Sequence, residues 1–320
     1  MISIIIPAFN AEKIIGKTIK SLLNQKTRKS FEIVVIDDGS TDGTLNALQK
    51  FKSNKKIRVF SQQNSGPAIA RNNGVKKASG EIIVFIDSDC VAESNWLEEM
   101  VKPFENEKVA GVQGAYKTNQ RSLTARFIQV EILDRYKRMQ KSINLDWIGS
   151  YSAAYRKKPF LLVGGFDPSF KVASGEDPEL SFKLNKFGWK LKFNPKAIVY
   201  HIHPETLMDY IKTKFVRAYW SVNLWKKHPD KAVKDSYTPQ IMKLQIIMAY
   251  HIIAAIFFGF IWNSLWSAII LFVAIILLSS LKFTFFALKQ DFSAGMIAPL
   301  MVFLRALTLA LGMLKGLLRF

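Results

Sequence analysis

Cysteine is nearly missing from this chain: Cys90 is the only one among 320 residues. That excludes a disulfide framework and a cysteine-rich metal cluster, and it suits a reducing compartment. Acidic residues are also scarce, 25 Asp and Glu against 45 Lys and Arg, for a net charge of +20. An acidic, solvating chain is therefore excluded, and the 49 % apolar content excludes a disordered one. No Gly-x-Gly-x-x-Gly follows any apolar run, which argues against a dinucleotide-dependent oxidoreductase. Gly16-Lys17-Thr18 has the look of a phosphate-loop end, but Ala11 stands where that loop needs glycine. Internal repeats and low-complexity linkers are absent as well. The start lacks the basic n-region of a signal peptide, and Pro7 interrupts its apolar run.

One further absence organises the chain. Residues 244–281 contain no Asp, Glu, Lys or Arg, and His251 is the one residue there that takes up a positive charge. A spanning helix needs about 20 residues, so this run fits two helices turning at Asn263-Ser264. Trp262 and Trp266 stand where interfacial aromatics belong. A second apolar run, 294–314, is broken only by Arg305; it reads as a third span or as a helix lying in the interface. Eight Lys or Arg against four acids between 205 and 243 form the positive-inside flank. The expectation is a multi-pass protein of the cell membrane whose residues before about 240 face the cytoplasm. Nucleic acid is not expected as a partner, because the basic residues cluster near the apolar runs and no nucleic-acid motif occurs.

What precedes the apolar runs alternates buried strands with helices. Strands are expected over 2–6, 32–36, 57–60, 82–86 and 197–200. Helices are expected over 11–23, through Leu45, Leu48 and Phe51, from Gly66-Pro67 to about Ser79, from a Ser94 cap through Trp96, Leu97 and Met100, and after Asp177. Fully apolar strands alternating with helices mean a mostly parallel sheet covered on both faces. Ligands on such sheets bind beyond the carboxyl ends of the strands.

Acidic turns stand at those ends. Asp87-Ser88-Asp89 follows the 82–86 strand, and two carboxylates so spaced can share one hard cation such as Mg²⁺. Asp37-Asp38-Gly39-Ser40 can contact a nucleoside or simply form a turn before a helix capped by Ser40 or Thr41. Glu176-Asp177-Pro178 starts a helical pattern with Asp177 as expected N-cap and Pro178 at the first helical position. The same carboxylate can serve as a general base. His201 and His203, two apart at a strand end, are expected to face one site. The basic stretch 117–141 reads as a solvated helix face or as a guide for an anionic lipid head group.

Five strings in this order carry a family resemblance: IIIPAFNAEKII, EIVVIDDGSTDGT, NSGPAIARNNGVKKASGEIIVFIDSDC, VGGFDPSF and GEDPELSFKLNKFGWKLKFNP. Together they resemble the family-2 glycosyltransferases over roughly two thirds of the chain. The resemblance implies a GT-A fold, a Rossmann-like α/β catalytic domain with a mostly parallel sheet, followed here by C-terminal transmembrane helices. The implied division is 1–205 catalytic domain, 206–243 basic amphipathic juxtamembrane segment and 244–320 transmembrane region of two or three helices. It implies inverting transfer from a UDP- or GDP-sugar with Mn²⁺ or Mg²⁺.

By position, the resemblance makes Pro7, Phe9, Glu12, Asp38, Arg71, Asp87 and Ser88 nucleotide-sugar contacts. It makes Asp87, Asp89 and His201 metal ligands, and Asp177 with Glu176 the catalytic carboxylates. Phe9 departs from the tyrosine many members carry. Arg217-Ala218-Tyr219-Trp220 only loosely resembles the Gln-x-x-Arg-Trp of processive synthases, lacking the glutamine. The Glu176-Asp177 pair favours a hydroxyl on a lipid-linked acceptor. A polyprenyl- or dolichyl-phosphate acceptor, already anionic, would need no base. A membrane-anchored scaffold with an inactive transferase domain is the alternative of another class.

Overall fold

A computed structural model describes residues 1–172, 174–233 and 238–320. Lys234 and Asp235 of the basic flank lie outside the described residues. The chain divides into two units, Met1–Asn119 with Met139–Ile202, and Gln120–Arg138 with His203–Phe320. Gln120–Arg138 groups with the C-terminal unit rather than with the residues on either side of it.

The first unit is an α/β domain. In chain order its elements are β1 (Ile2–Ala8), α1 (Ile15–Leu23), β2 (Phe31–Asp37), α2 (Thr44–Gln49), β3 (Ile57–Ser61), α3 (Pro67–Lys77), β4 (Ile82–Ile86), β5 (Val91–Ala92), α4 (Trp96–Val101) and β6 (Val109–Lys117). After α5 (Leu123–Met139) come β7 (Ser152–Arg156), α6 (Lys157–Leu162), α7 (Glu176–Lys186) and β8 (Lys190–Tyr200). The strands form one sheet in the order β3-β2-β1-β4-β7-β6-β8-β5. β1 to β4 are mutually parallel, β7 runs against both β4 and β6, and β8 runs parallel to β6. β1, β2, β4, β6 and β8 therefore all deliver their carboxyl ends to one edge.

The sheet stands on aliphatic burial. Ile4, Ile5 and Ile6 of β1 and Ile33, Val34 and Val35 of β2 are fully buried, each worth about 1.5–3 kcal/mol. Both faces are covered, so these strands are apolar without alternation. Pro7 does not end β1. The strand runs through it to Ala8, which pairs with Asp37, and Asp38 N–H donates to the Ala8 carbonyl at 2.8 Å. Two expected caps and one expected helix start differ from the structure. The α4 N-cap is Asn95, not Ser94; the α2 N-cap is Gly43, not Ser40 or Thr41; and α1 starts at Ile15 rather than 11. In each case a turn held by other contacts takes up the polar residues before the helix.

The second unit is helical: α5, α8 (Leu207–Lys227), α9 (Pro229–Val233), α10 (Gln240–Phe258), α11 (Ser264–Gln290) and α12 (Phe292–Arg319). Three helices, α10, α11 and α12, are long and apolar enough to cross a membrane. The turn between α10 and α11 falls at 259–263, a few residues before the expected Asn263-Ser264, because Ser264 already opens α11. α5 is not a merely solvated face. Phe127 and Val130 are buried with Tyr210, Ala287, Ala294, Ala298 and Met301, and Glu131 is buried too. Asp291 caps α12 by accepting from Ala294 N–H at 3.0 Å and takes both prongs of the Arg126 guanidinium at 2.7 Å.

Candidate active site

Register builds the site at the carboxyl edge of the sheet. Ala8 opposite Asp37 brings Phe9 and Asn10 out beside Asp38, and the pairing of β1 with β4 brings Asp87 out beyond Phe85. β7 runs the other way, with Ser152 opposite Ile86, so the turn before it, Gly149-Ser150-Tyr151, meets the Asp87 turn. Asp87 N–H donates to the Tyr151 carbonyl at 3.3 Å. β8 ends at Tyr200, and His201 follows at once.

Arg71 lies at the centre. Its side chain is 3 % exposed and donates from Nη1 to Glu176 Oε1 and from Nη2 to Asp87 Oδ1, each at 3.0 Å. Its ring neighbour is Phe166, 5.7 Å from the guanidinium carbon. Burial opposes the arginine's charge, but Asp87, Asp177 and Glu176 outweigh it and hold the guanidinium charged. The residue expected to contact the donor thus also ties α3, the Asp87 turn and α7 together.

α7 does not begin as the sequence suggests. Gly175 is its N-cap at φ 105°, a backbone that favours glycine, and any Cβ there would strike the Phe170 ring. Glu176 and Asp177 are therefore the first two helical residues, about 100° apart around the axis, and point different ways. Glu176 turns inward to Arg71 and is 1 % exposed. Asp177 turns toward the 149–151 turn and accepts Ser150 N–H on Oδ2 at 3.0 Å. Its Oδ1 is covered and has no hydrogen-bond partner among the described residues, and the same holds for Glu176 Oε2.

Three carboxylates thus surround one guanidinium. Burial, then the charge of Asp177, pushes Glu176 up to about 8 against the pull of Arg71. Burial also raises Asp177, although Arg71 and the Ser150 hydrogen bond oppose it. A helix start favours an ionised carboxylate, and here desolvation outweighs it.

Asp89 and His201 meet across the edge, Asp89 Oδ2 lying 3.3 Å from His201 Nε2. Partial burial works against the Asp89 charge, but its hydrogen bond to His201 and the nearness of that ring keep it below the ordinary carboxylate value. Asp89, Cys90 and His201 offer ligand atoms within 4.8 Å of one another. The carboxylate donor suits Mg²⁺ or Mn²⁺, and the imidazole beside it favours the transition ion Mn²⁺. The Cys90 thiol does not, because burial first and Asp89 second push it well up. Asp87, the third expected ligand, gives Oδ1 to Arg71 instead.

His203 does not join His201. The strand ends before both, so the two-residue rule lapses, and His203 is buried with Nε2 3.0 Å from Gln129 Oε1 in the helical unit.

On the β1–β2 side, Pro7 lies in β1 and Phe9 is 50 % exposed. Glu12 Oε2 accepts Gly43 N–H at 3.2 Å. The Ser88 carbonyl accepts the Thr18 hydroxyl at 2.8 Å. Asp38 is buried, and its carboxylate accepts Gln62 Nε2 at 2.7 Å and the Ser65 and Gly66 N–H groups at 2.9 Å. It clamps the 62–66 loop that opens α3, so its expected nucleoside contact has to share an already engaged carboxylate.

Sequence reading missed a supporting stack. The rings of Tyr151 and Tyr116 stack at 3.6 Å between centroids, and Tyr116 stacks on His201 at 4.4 Å. Fully buried Gln113 donates to the Tyr151 hydroxyl at 2.5 Å and accepts Gly149 N–H at 2.8 Å. The stack joins the turn that holds Asp177 to the ring that faces Asp89. Its one legible signal is Gln113, a lone amide inside the apolar run Val109–Tyr116.

Known proteins place this arrangement in a family. The family model for glycosyl transferase family 2 matches residues 3–161. The chain carries a glycosyl transferase family 2 domain over these residues. Poly-beta-1,6-N-acetyl-D-glucosamine synthase of Staphylococcus epidermidis is 28 % identical over 243 residues, 71 % of this chain and 58 % of that protein. An uncharacterized glycosyltransferase of Rickettsia bellii is 43 % identical over 104 residues, 32 % of this chain and 15 % of its own length. The chain thus spans less than two thirds of these relatives. Among solved structures, a mannosyltransferase of Pyrobaculum calidifontis in complex with GDP-Man and Mn²⁺ aligns with a TM-score of 0.63 at 18 % identity, covering 99 % of this chain and 86 % of that one. GalNAc-T7 with UDP, GalNAc and Mn²⁺ aligns at 0.53 and 21 % identity, over 74 % of this chain and 52 % of its own. At these identities the likeness is one of fold, and it is the GT-A fold that the resemblance implied.

Proposed function

We propose that this glycosyltransferase moves a sugar, with inversion, from a nucleoside-diphosphate donor to a hydroxyl of a lipid-linked acceptor at the cytosolic leaflet. The observation that carries the reading is Asp177, whose Oδ2 is fixed by Ser150 N–H while Oδ1 keeps an unspent lone pair beside Arg71 and Asp87. A carboxylate raised by burial is a stronger base than one in water, and nearer to the working pH of a general base. In this reading the acceptor hydroxyl gives its proton to Asp177 as its oxygen attacks the anomeric carbon. The bond from that carbon to the diphosphate breaks, and its electron pair leaves with the phosphate.

Glu176, buried against Arg71, positions the guanidinium rather than touching substrate. Arg71 in turn fixes the Asp87 turn. Pro7, Phe9, Glu12, Asp38 and Ser88 line the donor side of the carboxyl edge. Asp89 and His201 would hold the divalent cation, with the free oxygen of Asp87 within the same turn. When bound, Mn²⁺ or Mg²⁺ supplies positive charge to the leaving diphosphate.

The basic flank before α10 and the charge-free run it precedes support a cytosol-facing catalytic unit. The family relatives include a polysaccharide synthase, which supports a carbohydrate acceptor. The test is a screen of UDP-, GDP- and dTDP-sugars for transfer into membrane lipid extract. The wild-type and Asp177→Asn proteins are compared, with nucleotide binding followed by calorimetry on the same preparations. The reading requires transfer by wild type and its loss in Asp177→Asn, with nucleotide binding kept. Undiminished transfer by Asp177→Asn would reassign the acceptor to a polyprenyl phosphate, which needs no base.

A further inference from the structure

The three long apolar helices are not buried alike. Half of the apolar stretch of α12 is buried inside the protein, against 28 % for α10 and 17 % for α11. Part of what α12 buries goes to α10 and α11, where Val302, Ala306, Leu309 and Ala310 pack with Ile246, Ala249, Ile252 and Ile276; the rest goes to two charged helices. Near its start, Ala294, Ala298 and Met301 pack with Phe127 and Val130 of α5 and Tyr210 of α8. Midway, Arg305 Nη1 donates to Glu131 Oε1 of α5 at 2.5 Å, and Lys214 of α8 donates to Glu131 Oε2 at 2.8 Å. Near its end, a Cβ on Gly312 would meet the Phe215 carbonyl at 2.6 Å, and one on Gly316 the Tyr219 carbonyl at 2.7 Å. α12 thus meets α5 in its first half and follows α8 from there to its end.

Neither companion can sit deep in hydrocarbon. α8 carries Asp209, Lys212, Lys214, Arg217, Lys226 and Lys227, and α5 is charged at a similar density. A bilayer core does not accept such a load of charge. A helix that crossed the bilayer while keeping these contacts would drag both companions in with it. The outer face of α12 has the complementary pattern. Phe292, Met296, Leu300, Leu311, Leu314 and Leu318 are exposed, and their spacing places them on one stripe of the helix. Lys315 and Arg319 are exposed as well. An apolar stripe with cationic neighbours is the pattern of a helix lying in the membrane interface. α10 and α11 differ, because residues 244–281 contribute no Lys, Arg, Asp or Glu at all.

We propose that α12 does not cross the bilayer but lies in its cytosolic surface with α5 and α8, a basic platform docked on an anionic leaflet, while α10 and α11 alone form the spanning hairpin. This rests on the membrane reading above and adds the number of crossings. The Glu131 pairings with Arg305 and Lys214 then act as the lock that holds α12 to its two companions.

The test uses the full chain in vesicles of phosphatidylcholine and phosphatidylglycerol. Single cysteines replace Leu271, Leu300, Leu311 and Leu318 and carry nitroxide labels. Cys90 is fully buried, and the unsubstituted protein reports any background from it. Depth is read from collisions with oxygen and with a water-soluble nickel complex. The expected result is one shallow depth at positions 300, 311 and 318, with a deep label at 271. Reporters fused at residue 1 and at residue 320 should be protected on the same side of sealed vesicles. Depth increasing steadily from 300 to 318, or reporters on opposite sides, overturns the proposal and makes α12 a third span. A shallow label at 271 overturns the spanning hairpin itself, and the membrane reading with it.

Discussion

Two buried charge clusters, one in each unit, are built with opposite balances. Around Arg71 stand three carboxylates, Asp87, Glu176 and Asp177, so acid exceeds base. Around Glu131 stand two cations, Lys214 and Arg305, so base exceeds acid. The first cluster pushes Glu176 up to about 8. In the second, burial works against the Glu131 charge, but Lys214 and Arg305 outweigh it and bring the carboxyl down to about 2. The surplus decides the use. An acid-rich cluster keeps a carboxylate ready to take a proton, whereas a carboxylate outnumbered by cations stays ionised and acts as a fastener.

The comparison breaks first at Arg71. Arg71→Met removes the one buried cation facing three carboxylates, of which Glu176 is buried, and should cost about 3–5 kcal/mol of stability. The loss is read as a lower melting temperature in detergent. A stability loss under 1 kcal/mol would mean that the three acids do not depend on it. Next is Asp177→Asn, nearly isosteric and still able to accept Ser150 N–H. Transfer should fall at least about 10²-fold, with nucleotide affinity kept. Glu131→Gln is the counterpart in the helical unit. Its cost should be smaller than that of Arg71→Met, about 1–3 kcal/mol, because Lys214, already brought down to about 8 by burial, can shed its proton.

The pH response sharpens the contrast. A carboxyl raised from 4.5 to about 8, as Glu176 is, favours the folded state fully below 4.5 and loses that contribution as pH rises through 8. Glu131, lowered to about 2, contributes above 4.5 and loses its contribution as pH falls toward 2. Glu176→Gln should therefore gain melting temperature relative to wild type between about pH 5 and 8. Glu131→Gln should narrow its deficit only in acid. A flat difference curve for Glu176→Gln would show that the residue stays ionised throughout. The smallest effect is expected at Tyr116. Tyr116→Leu removes the ring that stacks on His201 and should weaken Mn²⁺ binding a few-fold, whereas Tyr116→Phe keeps the ring and should not. Manganese titration followed by electron paramagnetic resonance, without substrate, checks this.

Legibility differed between the two units. β1 to β4 could be read because each is a short, mostly aliphatic run, and the Asp37 and Asp87 turns could be read because they stand at the ends of two of them; β5, β6, β7 and the first part of β8 were not expected, because they are very short or interrupt their apolar residues with glycine, polar or basic ones. The partition of Glu176 from Asp177 could not. It depends on Gly175, not Asp177, being the cap, and a one-residue shift turns each side chain by about 100°. His203 was misread for a similar reason, since β8 ends before it and strand alternation no longer applies. Tyr151 lies in the turn before β7, far in sequence from Gln113 and Tyr116 of β6, and only the antiparallel pairing of β6 with β7 brings it to them.

By itself, the sequence determined the α/β class, the order of the strands that carry the acidic turns, the apolar hairpin of 244–281 and its basic flank. These are local properties, written in runs of one residue type, and they survive in any arrangement that buries apolar groups and solvates charges. Tertiary structure alone decided which carboxylate faces Arg71 and which keeps an open lone pair. It also decided that α12 rests on α5 and α8, with Arg305 satisfied by Glu131, 174 residues away. Those outcomes are long-range. They follow from which polar groups the fold brings within hydrogen-bond reach once the core has closed, and a buried charge accepts a partner from any part of the chain that can supply one.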